Sequence, residues 1–296
     1  MARGYNNEEI KSQLINLLHD SKTGLSGVEI STKLGINRVT MTKFLNVFAA
    51  EGIIIQKNIG NINLWLVEDD TEQFQFPADY FKVQEKYLKL LTEYHESAIY
   101  NLIRNCINSK VSITKLMIEV IIPSIIETQK SFNDGKIGKS EEQLMNGLIS
   151  KSIQITNLVH FNQKLRKNVI ILSSDPQSML FAEAASASFR ADSWNVFSLG
   201  DMSSAIDVLF DLDLKKLLTK IWKSKQDLML VVVFSSTEEG LKFFAESFES
   251  IKGKTEKNLY LIISGKVGKK VKIRSDLLTE KLENIIQWAQ TKFENL

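Results

Sequence analysis

The sequence predicts a multidomain protein of the α and α/β classes, and three observations along its 296 residues support this fold class. Residues 1–68 show three helical patterns followed by a hairpin pattern. Residues 80–161 are almost entirely helical in pattern. In residues 166–296, apolar runs alternate with helical patterns, which is typical of a doubly wound parallel sheet. We therefore expect an N-terminal domain, a helical bundle and an α/β domain.

The N-terminal domain is expected to contain three helices and a β-hairpin. Residues 7–20 carry apolar side chains at helical spacing. A short second helix follows, and a third helix, capped by Asn37, is expected to run to about Glu51. The apolar stretches 53–55 and 64–67 flank a polar turn rich in Gly and Asn, which predicts a hairpin.

The third helix of this domain has an apolar face and a polar face. Met41, Leu45 and Phe48 share the face that is expected to be buried. The polar and basic residues of the other face are Asn37, Arg38, Thr40, Thr42 and Lys43. The segment LGINRVTMTKFLNVFAAEGII resembles the recognition helix of the winged helix-turn-helix domains of prokaryotic transcription regulators. This resemblance, over residues 7–67, implies that the polar face, with Lys57 in the wing, contacts double-stranded DNA.

The charge balance limits how such a domain could bind DNA. The chain has 37 basic and 35 acidic residues and a formal net charge of +2, so it lacks a general electrostatic attraction for nucleic acid. A weakly charged domain gains affinity by binding two half-sites, and we therefore expect a homodimer. The alternative interpretation is a winged helix that contacts another protein, which would make the chain a non-catalytic interaction adaptor.

The helical bundle is expected to contain four helices. Pro123 lies inside the third of them, where it should kink the helix or produce a local irregularity. Cys106, the only cysteine, falls on an apolar helix face and is expected to be buried rather than reactive. The expected helices lie near residues 81–92, 94–108, 112–133 and 139–160.

The α/β domain is expected to contain five strands separated by helices. Residues 228–234 are continuously apolar, as in a strand that is buried on both faces of a parallel sheet. The expected strands are 169–172, 194–199, 228–234, 259–264 and 271–273. The expected helices are 177–190, 203–223, 238–251 and 276–293.

Residues 112–149, SITKLMIEVIIPSIIETQKSFNDGKIGKSEEQLMNGLI, resemble the helical cap of cobalamin-binding domains. That family includes methionine synthase, corrinoid methyl carriers and cobalamin-sensing MerR-type repressors. The resemblance, over residues 80–296, implies a flavodoxin-like fold for the α/β domain. In the repressors, an aromatic residue and a Glu-His pair shield the upper face of the corrin. The corresponding residues here are Phe132, Glu142 and Gln143, so the aromatic side chain and the acid are kept and the histidine is absent.

The turn after the first strand reads Asp-x-His-x-x-Gly in this family, in which the histidine ligates cobalt and the glycine lets the nucleotide tail approach the backbone. Asp175 keeps the first position, but Gln177 replaces the histidine and Leu180 replaces the glycine. An amide oxygen is a poor ligand for cobalt, so cobalamin is disfavoured and no cofactor is expected. The residues that resemble the family's two further ligand-contacting loops are Ser235, Ser236, Thr237 and Gly265.

We expect a DNA-binding transcription regulator whose α/β domain serves dimerisation or senses a different small-molecule effector. The alternative is a corrinoid sensor or carrier that holds cobalamin with its own nucleotide base still on the cobalt (base-on). The sequence has no nucleophile motif, phosphate loop or metal-ligand spacing, so we expect no catalytic residues, no metal site and no enzyme activity. It also has no signal-peptide pattern and no long apolar run, which predicts a cytoplasmic protein that does not enter a membrane.

Overall fold

The chain divides into two compact units. The first unit is Met1–Phe74 with Arg104–Ser109, and the second unit is Gln75–Ile103 with Lys110–Leu296. The second unit thus contains most of the predicted helical bundle together with the predicted α/β domain. The computed structural model describes residues 7–21, 23–60, 62–67, 72–158, 166–205, 210–224, 226–252, 257–268 and 272–296.

The first unit contains three helices and a three-stranded antiparallel sheet. The sheet has the order β1-β3-β2, and β2 and β3 form the predicted hairpin, with Ile59 opposite Ile62 at its tip. The three predicted helices are confirmed. The elements are α1 (Asn7–His19), β1 (Leu25–Ser26), α2 (Gly27–Leu34), α3 (Arg38–Ala50), β2 (Ile55–Ile59) and β3 (Ile62–Leu66).

Helix α3 forms where its capping residue and its apolar spacing predict it. The side chain of Asn37 accepts a hydrogen bond from the backbone N–H of Val39 at 2.9 Å, so it satisfies one of the free donors at the helix start. Met41, Leu45 and Phe48 are buried in the core of the unit, as predicted. This packing fixes the rotation of α3 and therefore decides which of its side chains face away from the core.

The helical stretch of the chain contains an irregularity next to Pro123. Because proline has no N–H, it cannot make the normal helical hydrogen bond, and the preceding segment Met117–Ile121 is a π-helix. The N–H of Ile122 donates to the carbonyl of Met117, five residues back, which confirms the predicted irregularity. The helices are α4 (Tyr80–Thr92), α5 (Glu96–Asn108), α6 (Ile113–Leu116), α7 (Ile122–Asn133) and α8 (Lys139–Thr156).

The rest of the second unit is a five-stranded parallel sheet with helices between its strands. The strand order is β5-β4-β6-β7-β8, the order of flavodoxin-like sheets, as predicted. Every residue of β4 and β6 is buried, because both faces of the sheet are covered. The strands are β4 (Lys167–Ser173), β5 (Asn195–Asp201), β6 (Leu228–Phe234), β7 (Leu259–Ser264) and β8 (Leu277–Leu278). The helices are α9 (Met179–Ala191), α10 (Phe210–Ile221), α11 (Glu238–Ile251) and α12 (Leu282–Glu294).

The predicted strand at residues 271–273 is wrong at residues 272–273, the two of its residues that the structure describes. Val271 lies outside the described residues, residues 272–273 belong to no strand, and the fifth strand is β8. Asp276 explains why the strand starts later than predicted. Its carboxylate accepts the N–H of Leu261 at 2.8 Å, and its backbone N–H donates to the carbonyl of Leu261. This contact docks the chain beside β7 only from residue 276 onward, so α12 starts later than predicted.

One half-buried carboxyl lies between helices α8 and α9. Ser150 donates a hydrogen bond to Glu183 at 2.7 Å, and burial raises the pKa of Glu183 above its usual value of 4.5. The protonated form of Glu183 therefore suits the folded state better than the ionised form. This contribution to stability is present below pH 4.5 and is lost as the pH rises through the raised pKa.

We expect Glu183→Gln to increase the free energy of unfolding at pH 8, because glutamine keeps the acceptor for Ser150 without the charge. The gain should be about 0.5–1.5 kcal/mol, the net value of a single polar contact, since the site is partly open to solvent. Urea unfolding at pH 8 and at pH 4 measures it, and the gain should shrink at pH 4. Glu246→Gln, an exposed change on α11, is the control. An equal gain at both pH values would contradict the role of charge.

Within the described part of the chain, no helix combines the length and the apolar character needed to cross a lipid bilayer.

Candidate functional site

The carboxyl ends of three neighbouring strands form one edge of the sheet. The loops after β4, β6 and β7 stay joined beyond the strand ends, because Ser174 N–H donates to the carbonyl of Phe234 and Ser235 N–H donates to the carbonyl of Ser264. Polar loops at this edge are where doubly wound sheets bind their ligands. The fold thus brings together segments that lie far apart in the sequence.

Asp175 is the centre of a polar network at this edge. Its carboxylate accepts the backbone N–H groups of Ser178 at 2.9 Å and Ser236 at 2.8 Å. The hydroxyls of Ser174, Ser178 and Ser235 lie 3.0, 2.9 and 3.2 Å from its oxygens. Burial raises the pKa of Asp175, but the N–H of Ser236 and the hydroxyls of Ser178 and Ser174 outweigh it, so the pKa lies below its usual value of 3.8. Asp175 is therefore an ionised carboxylate that the protein stabilises with hydrogen bonds.

Two glycines allow the loops to pack this closely. A Cβ atom at Gly240 would lie 2.5 Å from the hydroxyl oxygen of Ser174 and 2.7 Å from that of Ser235. A Cβ atom at Gly265 would overlap the carbonyl oxygen of Ser235. Gly265 was predicted from the sequence as a ligand-contacting residue. The structure shows that a glycine is needed there because the loops after β6 and β7 approach each other closely, and not because of an unusual backbone angle.

A cavity of about 350 Å³ lies between α7 and this edge of the sheet, and we call it the crevice. The side-chain amide of Gln129 on α7 donates to the carbonyl of Gln177 at 3.0 Å, which ties the helix to the loop after β4. The apolar residues that line the crevice are Ile126, Phe181 and Phe234. Its polar lining is Gln129, Gln177, Ser178, Ser235, Ser236, Ser264, Gly265, Lys266 and Glu280.

The fold brings only some of the predicted ligand residues to the crevice. Gln177, Ser235, Ser236 and Gly265 line it. Asp175 does not line it, but its carboxylate accepts the N–H groups of two lining residues, Ser178 and Ser236. Thr237 instead caps α11, because its hydroxyl oxygen accepts the N–H of Gly240 at 3.2 Å. It is not among the lining residues.

The predicted residues of the cap lie at the joint between α7 and α8 and do not line the crevice. Lys139 Nζ is 2.6 Å from the buried carboxylate of Glu142 and 5.0 Å from the ring centroid of Phe132. Gln143 is exposed. The aromatic and acidic pair therefore serves an ion pair and a cation–π contact within the cap.

Sequence reasoning missed the side chains that α7 and α9 contribute to the crevice. Ile126 and Gln129 are three residues apart on α7, so they share a face, and Phe181 is one helical turn after Gln177. That spacing was visible in the sequence. Glu280 also lines the crevice, but the sequence did not predict this, because the last strand was predicted at the wrong residues.

The residues present do not fit cobalt ligation. Gln177 stands at the position of the expected ligand, and amide oxygens bind cobalt far less well than imidazole does. Leu180, which stands where the resemblance leads us to expect a glycine, is buried. No group of three or more His, Cys, Asp or Glu side chains in the described ranges could hold a metal ion.

A larger surface groove, of about 780 Å³, lies between α6 and α12. Its polar groups already have partners, since Lys115 pairs with Glu283 at 2.8 Å and Thr114 donates to Asp192 at 3.2 Å. Burial raises the pKa of Asp192. Because its polar side chains are engaged with one another, we regard this groove as a weaker candidate than the crevice.

In the first unit, α3 presents the predicted polar face to solvent. Arg38, Thr42 and Lys43 are exposed, and Thr40 is half-buried. The oxygen of the Asn37 side chain is engaged in the helix cap, and the hydroxyl of Thr42 donates to the carbonyl of Arg38 at 2.9 Å. Lys57 is exposed on β2. The exposed side of the helix also contains an apolar residue, Val39, which is 67% exposed.

No protein-family model matches the chain, and no curated protein matches it. Among solved structures, the monomethylamine corrinoid protein of Methanosarcina barkeri is similar over 73% of this chain and 99% of that chain, with a TM-score of 0.56 and 13% identity. At this identity the likeness establishes the fold alone, over the 73% of this chain that is matched.

Two further solved structures have TM-scores below 0.5 and do not bear on the fold. A cobalamin-binding protein from Desulfitobacterium hafniense DCB-2 has a TM-score of 0.34 and 11% identity, and covers 71% of this chain and 98% of its own. The methanol:cobalamin methyltransferase complex of Methanosarcina barkeri has a TM-score of 0.33 and 12% identity, and covers 77% of this chain and 84% of its own.

Proposed function

We propose that this protein is a DNA-binding transcription regulator whose second unit senses a small molecule in the crevice. The observation that carries the DNA-binding role is the exposed face of α3, where Arg38, Thr42 and Lys43 point away from the core. The order of helices and strands in the first unit supports a winged helix, in which such a helix enters the major groove. Basic and hydroxyl side chains there can bind base edges and phosphates.

The crevice supports the sensing role because two structural elements meet in it. Helix α7 contributes Ile126 and Gln129, and the strand loops contribute the serine hydroxyls. A ligand that contacts both sides stabilises one arrangement of α7 relative to the sheet, which is the differential contact that a ligand-controlled switch requires. The π-helical segment Met117–Ile121 lies directly before α7, at a place where the helix is already irregular.

The experiment that tests DNA binding is an electrophoretic mobility shift of the full-length protein on duplex DNA from upstream of its own coding sequence. We expect a shifted complex that survives an excess of unrelated competitor DNA. No shift at micromolar protein would favour the interaction-adaptor interpretation, for which the exposed apolar residues Ile59 and Ile62 at the hairpin tip offer a protein-binding surface.

A corrinoid sensor or carrier is the second candidate function, and the likeness to a solved corrinoid protein favours it. That likeness extends over nearly the whole of the corrinoid protein. Gln177 argues against cobalamin that is ligated by the protein, so this candidate requires cobalamin bound base-on. Pink colour and visible absorption of the purified protein would be its direct sign.

We expect wild-type protein to bind hydroxocobalamin weakly and Gln177→His to bind it more tightly, since imidazole supplies the nitrogen ligand that cobalt prefers. Titration followed by visible absorption measures both affinities, and ligation by the new histidine should also change the spectrum. Gln177→Ala is the control, because it removes the amide without adding a ligand. Submicromolar binding of hydroxocobalamin by the wild type would favour the corrinoid sensor or carrier over the proposed regulator.

We also expect a homodimer, because the net charge of +2 is too small for tight binding through one set of phosphate contacts. Two-fold symmetric dimers bind two half-sites and so double the contacts. Light scattering at tens of micromolar protein, with and without duplex DNA, measures the mass. A monomer under both conditions would contradict this prediction.

A further inference from the structure

An anion that belongs to the protein, the carboxylate of Asp175, is hydrogen-bonded to three residues that line the crevice, Ser178, Ser235 and Ser236. The start of the 3₁₀-helix Pro176–Ser178 and the start of α11 both lie at this edge of the sheet. In many α/β proteins, N–H groups at such helix starts bind a phosphate. Here the carboxylate of Asp175 accepts the N–H groups of Ser178 and Ser236. A phosphate would therefore meet a negative charge instead of free donors.

The other polar groups of the crevice suit an uncharged ligand. Lys266 and Glu280 are both exposed and contribute opposite charges. The side-chain amide of Gln177 and the hydroxyl of Ser264 line the crevice, and neither makes a hydrogen bond within the described part of the chain. Free donors and acceptors next to a balanced charge favour a ligand that forms hydrogen bonds and has no net charge.

The lining of the crevice favours a flat heterocycle. Phe181, Phe234 and Ile126 provide apolar walls of the kind that hold an isolated base between aromatic and apolar side chains. A glutamine amide pairs bidentately with the N6 and N7 edge of adenine. The volume of about 350 Å³ is at the lower end of small-molecule sites and matches a nucleoside better than a larger cofactor.

We propose that the crevice binds an adenine-type base or its uncharged nucleoside through Gln177, and that Asp175 excludes the phosphorylated forms. The inference rests on the proposed sensing role of the second unit and names the chemical class of its effector. Asp175 thereby has two effects: it joins the loops after β4 and β6, and it sets the charge that the ligand can carry.

Isothermal titration of the full-length protein with adenosine, inosine and adenosine monophosphate tests this proposal. We expect wild type to bind adenosine, and inosine about 5–150-fold more weakly, because inosine lacks the N6 donor and such a contact is worth about 1–3 kcal/mol. Adenosine monophosphate should also bind more weakly than adenosine. Gln177→Ala should remove the preference for adenosine over inosine, and Asp175→Asn should reduce the preference for adenosine over its monophosphate.

Gln154→Ala is the matched control, because this glutamine is exposed on α8 and does not line the crevice. Binding of the monophosphate by wild type as tightly as adenosine would overturn the exclusion by Asp175. No adenosine binding at millimolar concentration, with folded protein by circular dichroism, would overturn the ligand class. These titrations contain no DNA, so a protein that binds adenosine but fails the mobility shift would refute the proposed regulator and not this inference.

Discussion

Replacing both Arg38 and Lys43 with alanine is expected to abolish sequence-specific DNA binding by this protein. Both side chains are exposed on α3, whereas Met41 and Leu45 of the same helix are buried in the core of the unit. Each lost contact to a base or phosphate should cost about 1–3 kcal/mol. The double variant should therefore bind its site about 30-fold to 10⁴-fold more weakly, which a mobility-shift titration at fixed salt measures.

The matched control is Lys215→Ala with Lys220→Ala. These two lysines are exposed on α10 of the second unit, and their removal changes the net charge by the same amount. The control variant should lose little affinity, because net charge alone contributes a small, non-specific part of the binding. Unchanged affinity of the Arg38 and Lys43 variant, with intact circular dichroism, would show that α3 does not bind DNA in this way.

Asp175→Ala is expected to lower the free energy of unfolding by about 2–4 kcal/mol. The change leaves the N–H groups of Ser178 and Ser236 without their acceptor, together with the nearby hydroxyls. Each unsatisfied buried group costs about 1–3 kcal/mol, and water recovers part of this because the site is half-exposed. Urea unfolding measures the loss, and Asp213→Ala, an exposed change on α10, should cost less than about 0.5 kcal/mol.

The pH dependence of the Asp175 contribution has a definite sign. The folded-state pKa is lower than the usual value of 3.8, so ionised Asp175 stabilises the fold above that pH. The stabilisation is lost as the pH falls through the lowered pKa. The difference in stability between wild type and Asp175→Asn should therefore be largest at neutral pH and shrink in acid. A difference that does not vary between pH 7 and pH 2 would show that the charge is unimportant.

Features that depend on neighbours in the sequence were predictable. The cap at Asn37 forms as expected, because its side chain accepts the N–H of Val39, which is two residues away. The irregularity at Pro123 follows from the missing N–H of proline. Cys106 is fully buried, as its position on an apolar helix face predicted.

Features that depend on long-range contacts were predicted less well. The last strand was placed at residues 271–273 because that stretch is apolar in part, but the carboxylate of Asp276 decides where the chain meets β7. The resemblance to cobalamin-binding domains implied a ligand-shielding role for Phe132 and Glu142, yet both contact Lys139 at the joint between α7 and α8. A resemblance in sequence does not determine which partner a side chain finds when that partner is specific to this chain.

The sequence by itself determined helix α3 and the buried strands β4, β6 and β7, because apolar spacing and capping act over a few residues. Its resemblance to cobalamin-binding domains pointed to Gln177, which lines the crevice in the structure. Only the tertiary structure decided that Gln129 is hydrogen-bonded to the backbone of Gln177 and that the carboxylate of Asp175 accepts the N–H groups of both Ser178 and Ser236. The reason is that parallel crossovers bring together loops separated by dozens of residues, and the composition of the crevice depends on which loops meet.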